Sequence, residues 1–153
     1  MTRRGQSGHA WGQLAETVGP RVRLLRNALA ARSIAALEEF GLPTGSLTVL
    51  SLIAANPGSS QTTLAKAAGV NKSALVGIVD ELEKRGLAAR DRSASDRRRN
   101  HLSITGEGEA AMKAMLARVS GGEDQVRDAL GPRDHAKLLE LLDRANAAAI
   151  ASR

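Results

Sequence analysis

Residues 61–80 read QTTLAKAAGVNKSALVGIVD, and the fold follows from how this stretch divides. Ser60 or Gln61 opens a short helix that runs through Ala68, Gly69 makes the turn, and Asn71 is a good N-cap for the next helix. In that second helix Leu75, Ile78, Val79 and Leu82 recur at i, i+3, i+4 and i+7, the spacing of one buried face. Ala65 is small enough for two helices to approach, and Gly69 sits where a tight turn needs φ > 0. Leu64, Val70, Leu75 and Ile78 fill the space between them, which makes the pair a helix-turn-helix. The opposite face then shows Lys72, Ser73, Val76, Gly77 and Asp80. A helix of this kind enters the major groove of duplex DNA N-terminus first, so its early residues meet base edges and phosphates. Lys72 suits guanine or a phosphate, Ser73 either, and Val76 a thymine methyl. Asn71 is a cap rather than a base reader, and Asp80 is either structural or repelled from the backbone.

Downstream, Gly86 stops the helix and residues 87–90 form a short β-compatible stretch. A charged tip at 91–99 and an alternating stretch at 101–104 complete a hairpin. Arg90, Arg92, Arg97, Arg98 and Arg99 fall within ten residues beside the reader helix. Arginine on a hairpin tip suits a narrow minor groove. Two helix-turn-helix helices with nothing beside them would be ordinary packing; the adjoining basic hairpin points to DNA.

Upstream, residues 1–11 read as a polar arm. Pro20 suits a first helical turn, followed by Val22, Leu25, Leu29, Ala36 and Phe40 at helical spacing, with Gly41 and Pro43 as the stop. Thr44 is the expected cap of a helix carrying Leu47, Leu50, Ile53 and Ala54, closed by Asn56, Pro57 and Gly58. Beyond the hairpin, Thr105 caps a long helix in which Gly121-Gly122 is the expected kink or break. Pro132 opens a last helix with Leu138, Leu142, Ala145 and Ala149 in line. The apolar stripes of these outer helices exceed what one small DNA-binding lobe can cover. A second subunit is the natural place to bury them, against the alternative that they pack on each other.

Composition narrows the function. The formal charge of +6 over 153 residues fits a polyanionic partner but decides little by itself. With only Trp11 and Phe40 as aromatics, the chain lacks the stacking platforms that single-stranded nucleic acid requires. Cysteine is absent, which excludes disulfides, thiolate metal sites and cysteine redox sensing. His9, His101 and His135 have no spaced partners, so neither a metal nor another cofactor is expected. No apolar run spans a bilayer, and the basic N-terminus has no apolar stretch behind it; the expected compartment is the cytoplasm. No nucleophile–base–acid set or phosphate loop supports an enzyme.

From Leu42 to Gly108 the chain resembles the MarR family of winged-helix regulators. The carrying segments are residues 61–65, 70–76 and 80–87, then Arg90, the Ser95-Asp96-Arg97-Arg98 run and residues 102–108. The Asp-x-Arg wing followed by a strand and Thr-x-x-Gly (Thr105 to Gly108) is specific to that family. The resemblance implies a mainly α fold: a winged helix-turn-helix at 42–105 with a two- or three-stranded β wing. It also implies a dimerisation lobe from 12–41 and 106–153, a palindromic operator, and release by a small, often aromatic and anionic, effector. By the same resemblance Arg98 enters the minor groove, Asp96 orients it through an ion pair, and Arg97 and Arg99 lie near phosphates. Position 77, often long and polar in the family, is Gly here, and Val76 replaces a frequent Thr. The reader helix is therefore expected to make fewer direct base hydrogen bonds and to lean more on shape and the wing. Candidate anchors for an anionic effector are Arg21, Arg23, Arg26 and Arg32, with His9 and Trp11 nearby, although each also reads as an ordinary exposed basic residue. The competing reading is a constitutive winged-helix DNA-binding protein with no effector.

Overall fold

The computed structural model describes residues 11–92 and 100–151. A 3-10 turn (Gly12–Leu14) precedes α1 (Gly19–Leu37), a second 3-10 turn (Glu38–Phe40), α2 (Ser46–Ala55), α3 (Gln61–Ala68) and α4 (Lys72–Lys84). Strands β1 (Ala88–Arg92) and β2 (Asn100–Ile104) pair antiparallel, and α5 runs over Gly106–Ala151. The fold is mainly helical with one small sheet among the described residues, as the pattern predicts.

Local chemistry sets the boundaries of the central helices. Ser60 accepts a hydrogen bond from the Thr63 amide (3.1 Å) and Asn71 one from the Ala74 amide (2.8 Å), satisfying first-turn donors. Both helices end in paired reverse bonds. Gly69 N–H reaches the Lys66 carbonyl and Val70 N–H that of Ala65; Gly86 N–H reaches Glu83 and Leu87 N–H reaches Leu82. Gly69 and Gly86 both hold positive φ (67° and 68°), the left-handed step that this Schellman ending requires. The cap expected at Thr44 falls elsewhere: α2 begins after Gly45, whose φ of 93° turns the chain, and Ser46 is the first helical residue.

The core belongs to the middle of the chain. Val49, Leu50 and Ile53 of α2, Leu64 and Ala65 of α3, and Leu75, Ile78, Val79 and Leu82 of α4 are buried together. Ala88, Leu102 and Met115 close it from the sheet and the root of α5. In contrast, α1 has no buried residue, and beyond Met115 neither does α5. Leu24, Ile34, Leu116, Leu139, Leu141 and Ile150 of these two helices are all exposed.

Two features of α5 decide its course. Thr105 Oγ1 donates to the Gly86 carbonyl (2.7 Å) and accepts from Gly108 N–H (2.9 Å), pinning the start of α5 to the end of α4. A Cβ placed on Gly108 would lie 1.9 Å from the Leu87 carbonyl oxygen. This contact is the physical content of Thr-x-x-Gly. The break expected at Gly121-Gly122 lies instead at Gly131 (φ 70°, ψ 167°), just before Pro132, dividing α5 into arms 106–130 and 132–151. Proline disfavours helical backbone in the residue before it, and only glycine takes Gly131's angles freely. Helix runs straight through 121–122, where a Cβ on Gly122 would make only ordinary contact with Arg32 at 3.5 Å. Nothing in the structure demands glycine at that pair.

Candidate nucleic-acid interface

The face of α4 opposite the core presents the residues that the sequence singles out. Lys72, Ser73 and Gly77 are exposed and Val76 is half-buried. Around Gly77 an added Cβ would meet nothing within 4 Å, so the helix backbone itself is open there. Lys72 and Ser73 stand in the first turn, where the unpaired amides and the helix dipole favour a negatively charged group. This end of α4 can take phosphates and base edges together. Asp96, Arg97, Arg98 and Arg99 lie outside the described residues, as does His9.

The sheet corrects one part of the charge reading. Arg90 pairs with Leu102 across the strands, on the same face as the Ala88–Ile104 pair. That face turns toward the core, so Arg90 does not join the basic tip. Its Nη2 lies 2.6 Å from Asp80 Oδ1 and its Nη1 2.6 Å from Glu83 Oε2, while its amide donates to Glu83 Oε1 (3.0 Å). Arg90 thus straps the wing stalk to the reader helix. Asp80, for which two roles were open, takes the structural one. At the other edge of the wing, His101 Nδ1 donates to the Gly58 carbonyl (2.7 Å), tying β2 to the loop before α3. The carbonyl only accepts, so Nδ1 carries the proton.

Among the described residues, Arg21, Arg26 and Arg32, which were expected to hold an anion, are engaged at separate places. Arg21 stacks over the half-buried Trp11 ring, 5.0 Å from its centroid, and donates to the Thr17 and Leu14 carbonyls. Arg26 donates to Asn27 Oδ1 (3.0 Å). Arg32 reaches α5 instead, with Nη1 on the Gly122 carbonyl (3.0 Å) and Nη2 on Gln125 Oε1 (2.7 Å). Eleven residues of helix put Arg21 and Arg32 on one face but about 16 Å apart. Trp11 and Arg21 are brought together; Arg32 is a clasp between helices.

The sequence reading passed over Arg85 and Arg118. The Arg85 guanidinium beside Glu81 holds that carboxyl below the usual carboxylate range, and the Lys84 charge adds to the effect. The i, i+4 spacing of Glu81 and Arg85 is visible in sequence; what else Arg85 touches is not. Among the described residues, no group of three or more acidic, histidine or cysteine side chains is arranged to hold a metal ion.

A helix-turn-helix with a β hairpin behind its reader helix defines a winged-helix DNA-binding transcriptional regulator. Residues 40–99 match the family model described as MarR family. A protein of Thauera aromatica, described as a transcriptional regulatory protein for the hcr operon, is 37% identical over 114 residues. That match covers 74% of this chain and 68% of that protein. The chain belongs to the MarR family. Among solved structures, the transcriptional repressor CouR bound to a 23-mer DNA duplex is 31% identical, with a TM-score of 0.77, covering 91% of this chain and 99% of that one. CouR of Rhodococcus jostii RHA1 bound to p-coumaroyl-CoA is 28% identical, with a TM-score of 0.76 and 87% and 94% coverage. A MarR-family protein of Mycobacterium tuberculosis in complex with p-aminosalicylic acid is 25% identical, with a TM-score of 0.69 and 84% and 97% coverage.

Proposed function

We propose that the chain acts as a homodimeric repressor that reads a palindromic operator and is released by an aromatic acid or its coenzyme A thioester. The observation that carries the reading is the outward face of α4: Lys72, Ser73 and the bare backbone at Gly77 are exposed, while the same helix's other face is buried in the core. The duplex-bound repressor to which the chain is similar supports DNA as the ligand of that face. On this reading Lys72, Ser73, Val76 and Gly77 meet the major groove. Arg98, oriented by Asp96, enters the minor groove, with Arg97 and Arg99 on phosphates.

Dimerisation is supported by the exposed apolar side chains of α1 and α5, which residues 12–41 and 106–153 would contribute to a shared lobe. The effector class is supported by the similar proteins bound to p-coumaroyl-CoA and p-aminosalicylic acid. Of the cations proposed to face it, Arg21, Arg26 and Arg32 already hydrogen-bond within the chain, Arg26 only to its neighbour Asn27, so Arg23 and Arg26 need the least rearrangement to serve as anchors. A regulator of this kind acts beside the chromosome, in the cytoplasm, and performs no catalysis. No helix among the described residues is long and apolar enough to cross a membrane.

The test is a gel-shift titration against a duplex selected from random sequence, followed by a screen of aromatic acids and their thioesters. Selection of a palindrome and its release by a member of the screen is the expected result. Tight binding that nothing releases supports the constitutive reading, and failure to select any duplex removes both.

A further inference from the structure

The chain between α1 and α2 is gripped from two sides by arginines outside the groove-facing set. From α5, Arg118 binds Glu39 with both arms of its fork, Nε to Oε1 at 2.7 Å and Nη2 to Oε2 at 3.2 Å. From the end of α4, Arg85 donates through Nη1 to the Phe40 carbonyl (3.0 Å) and through Nη2 to the Gly41 carbonyl (2.6 Å). Its Nε is held at the same time by Glu81 Oε1 (2.8 Å). The Phe40 and Gly41 carbonyls end the 3-10 turn that follows α1, where helical partners run out and partial negative charge collects. Only a guanidinium offers donors in a rigid fork that can hold two carbonyls and a carboxylate together.

We propose that Arg85 is a positioning residue for operator reading, fixing α4 to the Glu39–Gly41 junction so that the outer helices set where the reader lies. This rests on the reading of α4 as the DNA-reading helix and of the chain as a dimer. The core locks α2, α3 and α4 into one body. That body is fused to the outer helices at the root of α5, where Gly108 meets Leu87. Met115 of α5 enters the core, and Leu37 and Phe40 pack against it at the junction. Apolar contacts of this kind are non-directional, and the Arg85 bonds add the directional hold that fixes the angle between the two parts. That hold is also polar and exposed, so it can loosen without opening the core.

The experiment compares wild type, Arg85→Gln, Arg85→Lys and Glu81→Gln on a duplex selected by the wild-type protein. Each is also measured on that duplex with one base pair inserted or deleted between half-sites. Arg85→Gln is expected to bind the selected spacing about three- to thirtyfold more weakly and to lose a similar factor of discrimination between spacings. Glu81→Gln moves the same way by less, and Arg85→Lys falls between. The slope of affinity against salt stays at the wild-type value, because no phosphate contact is lost. Wild-type spacing discrimination in Arg85→Gln overturns the proposal. So does a salt slope lowered by about one unit, which would make Arg85 a direct phosphate contact. Should Arg85→Gln fail to fold, Arg85→Lys and Glu81→Gln decide by the same two readouts. Failure of the wild type to select a duplex removes the DNA reading, and this role with it.

Discussion

Gly108 and Gly77 are both helical glycines, and the space around each sends the same substitution in opposite directions. A methyl at Gly108 would run into the Leu87 backbone and the Ile104 side chain, at 1.9 and 2.8 Å. Gly108→Ala is expected to destabilise the fold by roughly 1–3 kcal/mol or more, since backbone cannot rotate aside as a side chain does. A methyl at Gly77 meets nothing, so Gly77→Ala should raise stability by about 0.5–1 kcal/mol through helix propensity. Urea midpoints for the two variants check both signs; equal effects would show that the space around each glycine is not what matters. Gly77→Ala also reports on function. If the reader helix approaches DNA through its bare backbone, the more stable variant binds operator less well.

At the scale of elements, the proposed roles of reader helix and wing predict different losses on mutation. Lys72→Ala is expected to lower the salt slope of operator binding by about one unit along with affinity, since Lys72 stands in the first turn of α4 facing away from the core. An unchanged slope would assign Lys72 to base reading or to no contact. Arg98→Ala should weaken binding by about 1–3 kcal/mol if the wing enters the minor groove. Wild-type affinity in that variant would end the wing assignment. Acidity probes the end of α4. Because Arg85 lowers the Glu81 pKa below its usual 4.5, the pair's contribution is complete above that pH and disappears as the pH falls through the lowered value. Wild type should therefore keep a constant advantage in melting temperature over Glu81→Gln above pH 4.5 and lose it below. A gap that does not change with pH would show that charge at Glu81 plays no part.

Across the whole molecule, burial is concentrated in one place. The middle of the chain encloses a full core, whereas α1 and most of α5 leave leucines and isoleucines in water. Helices with that distribution are stable in company. Sedimentation at micromolar concentration should give twice the 16.0 kDa chain mass. A single monomeric species would remove the palindromic operator from the reading. The kink at Gly131 bears on this scale too, because it sets the direction in which the second arm of α5 carries Leu139 and Leu141.

Local chemistry made the helix-turn-helix legible in advance. Ser60, Gly69, Asn71 and Gly86 act within four or five residues of themselves, through side-chain caps and positive φ, and the buried stripe of α4 needs only the helical period. The Thr-x-x-Gly step showed as a pattern, but the clash that requires it appears only when Leu87 is folded beside Gly108. Long-range charge pairing was not legible at all. Arg90 looked like part of a basic tip until strand register turned it toward Asp80 and Glu83, and Arg32 looked like an anion anchor until α5 crossed it. Gly121-Gly122 misled because glycine only permits a break; Pro132 compels one by what it does to Gly131. By itself, then, the sequence determined which helices form and which face of α4 is left outside the core. Partners 7 to 93 residues apart were settled by tertiary structure, because an arginine's target depends on what packing brings within reach of its fork.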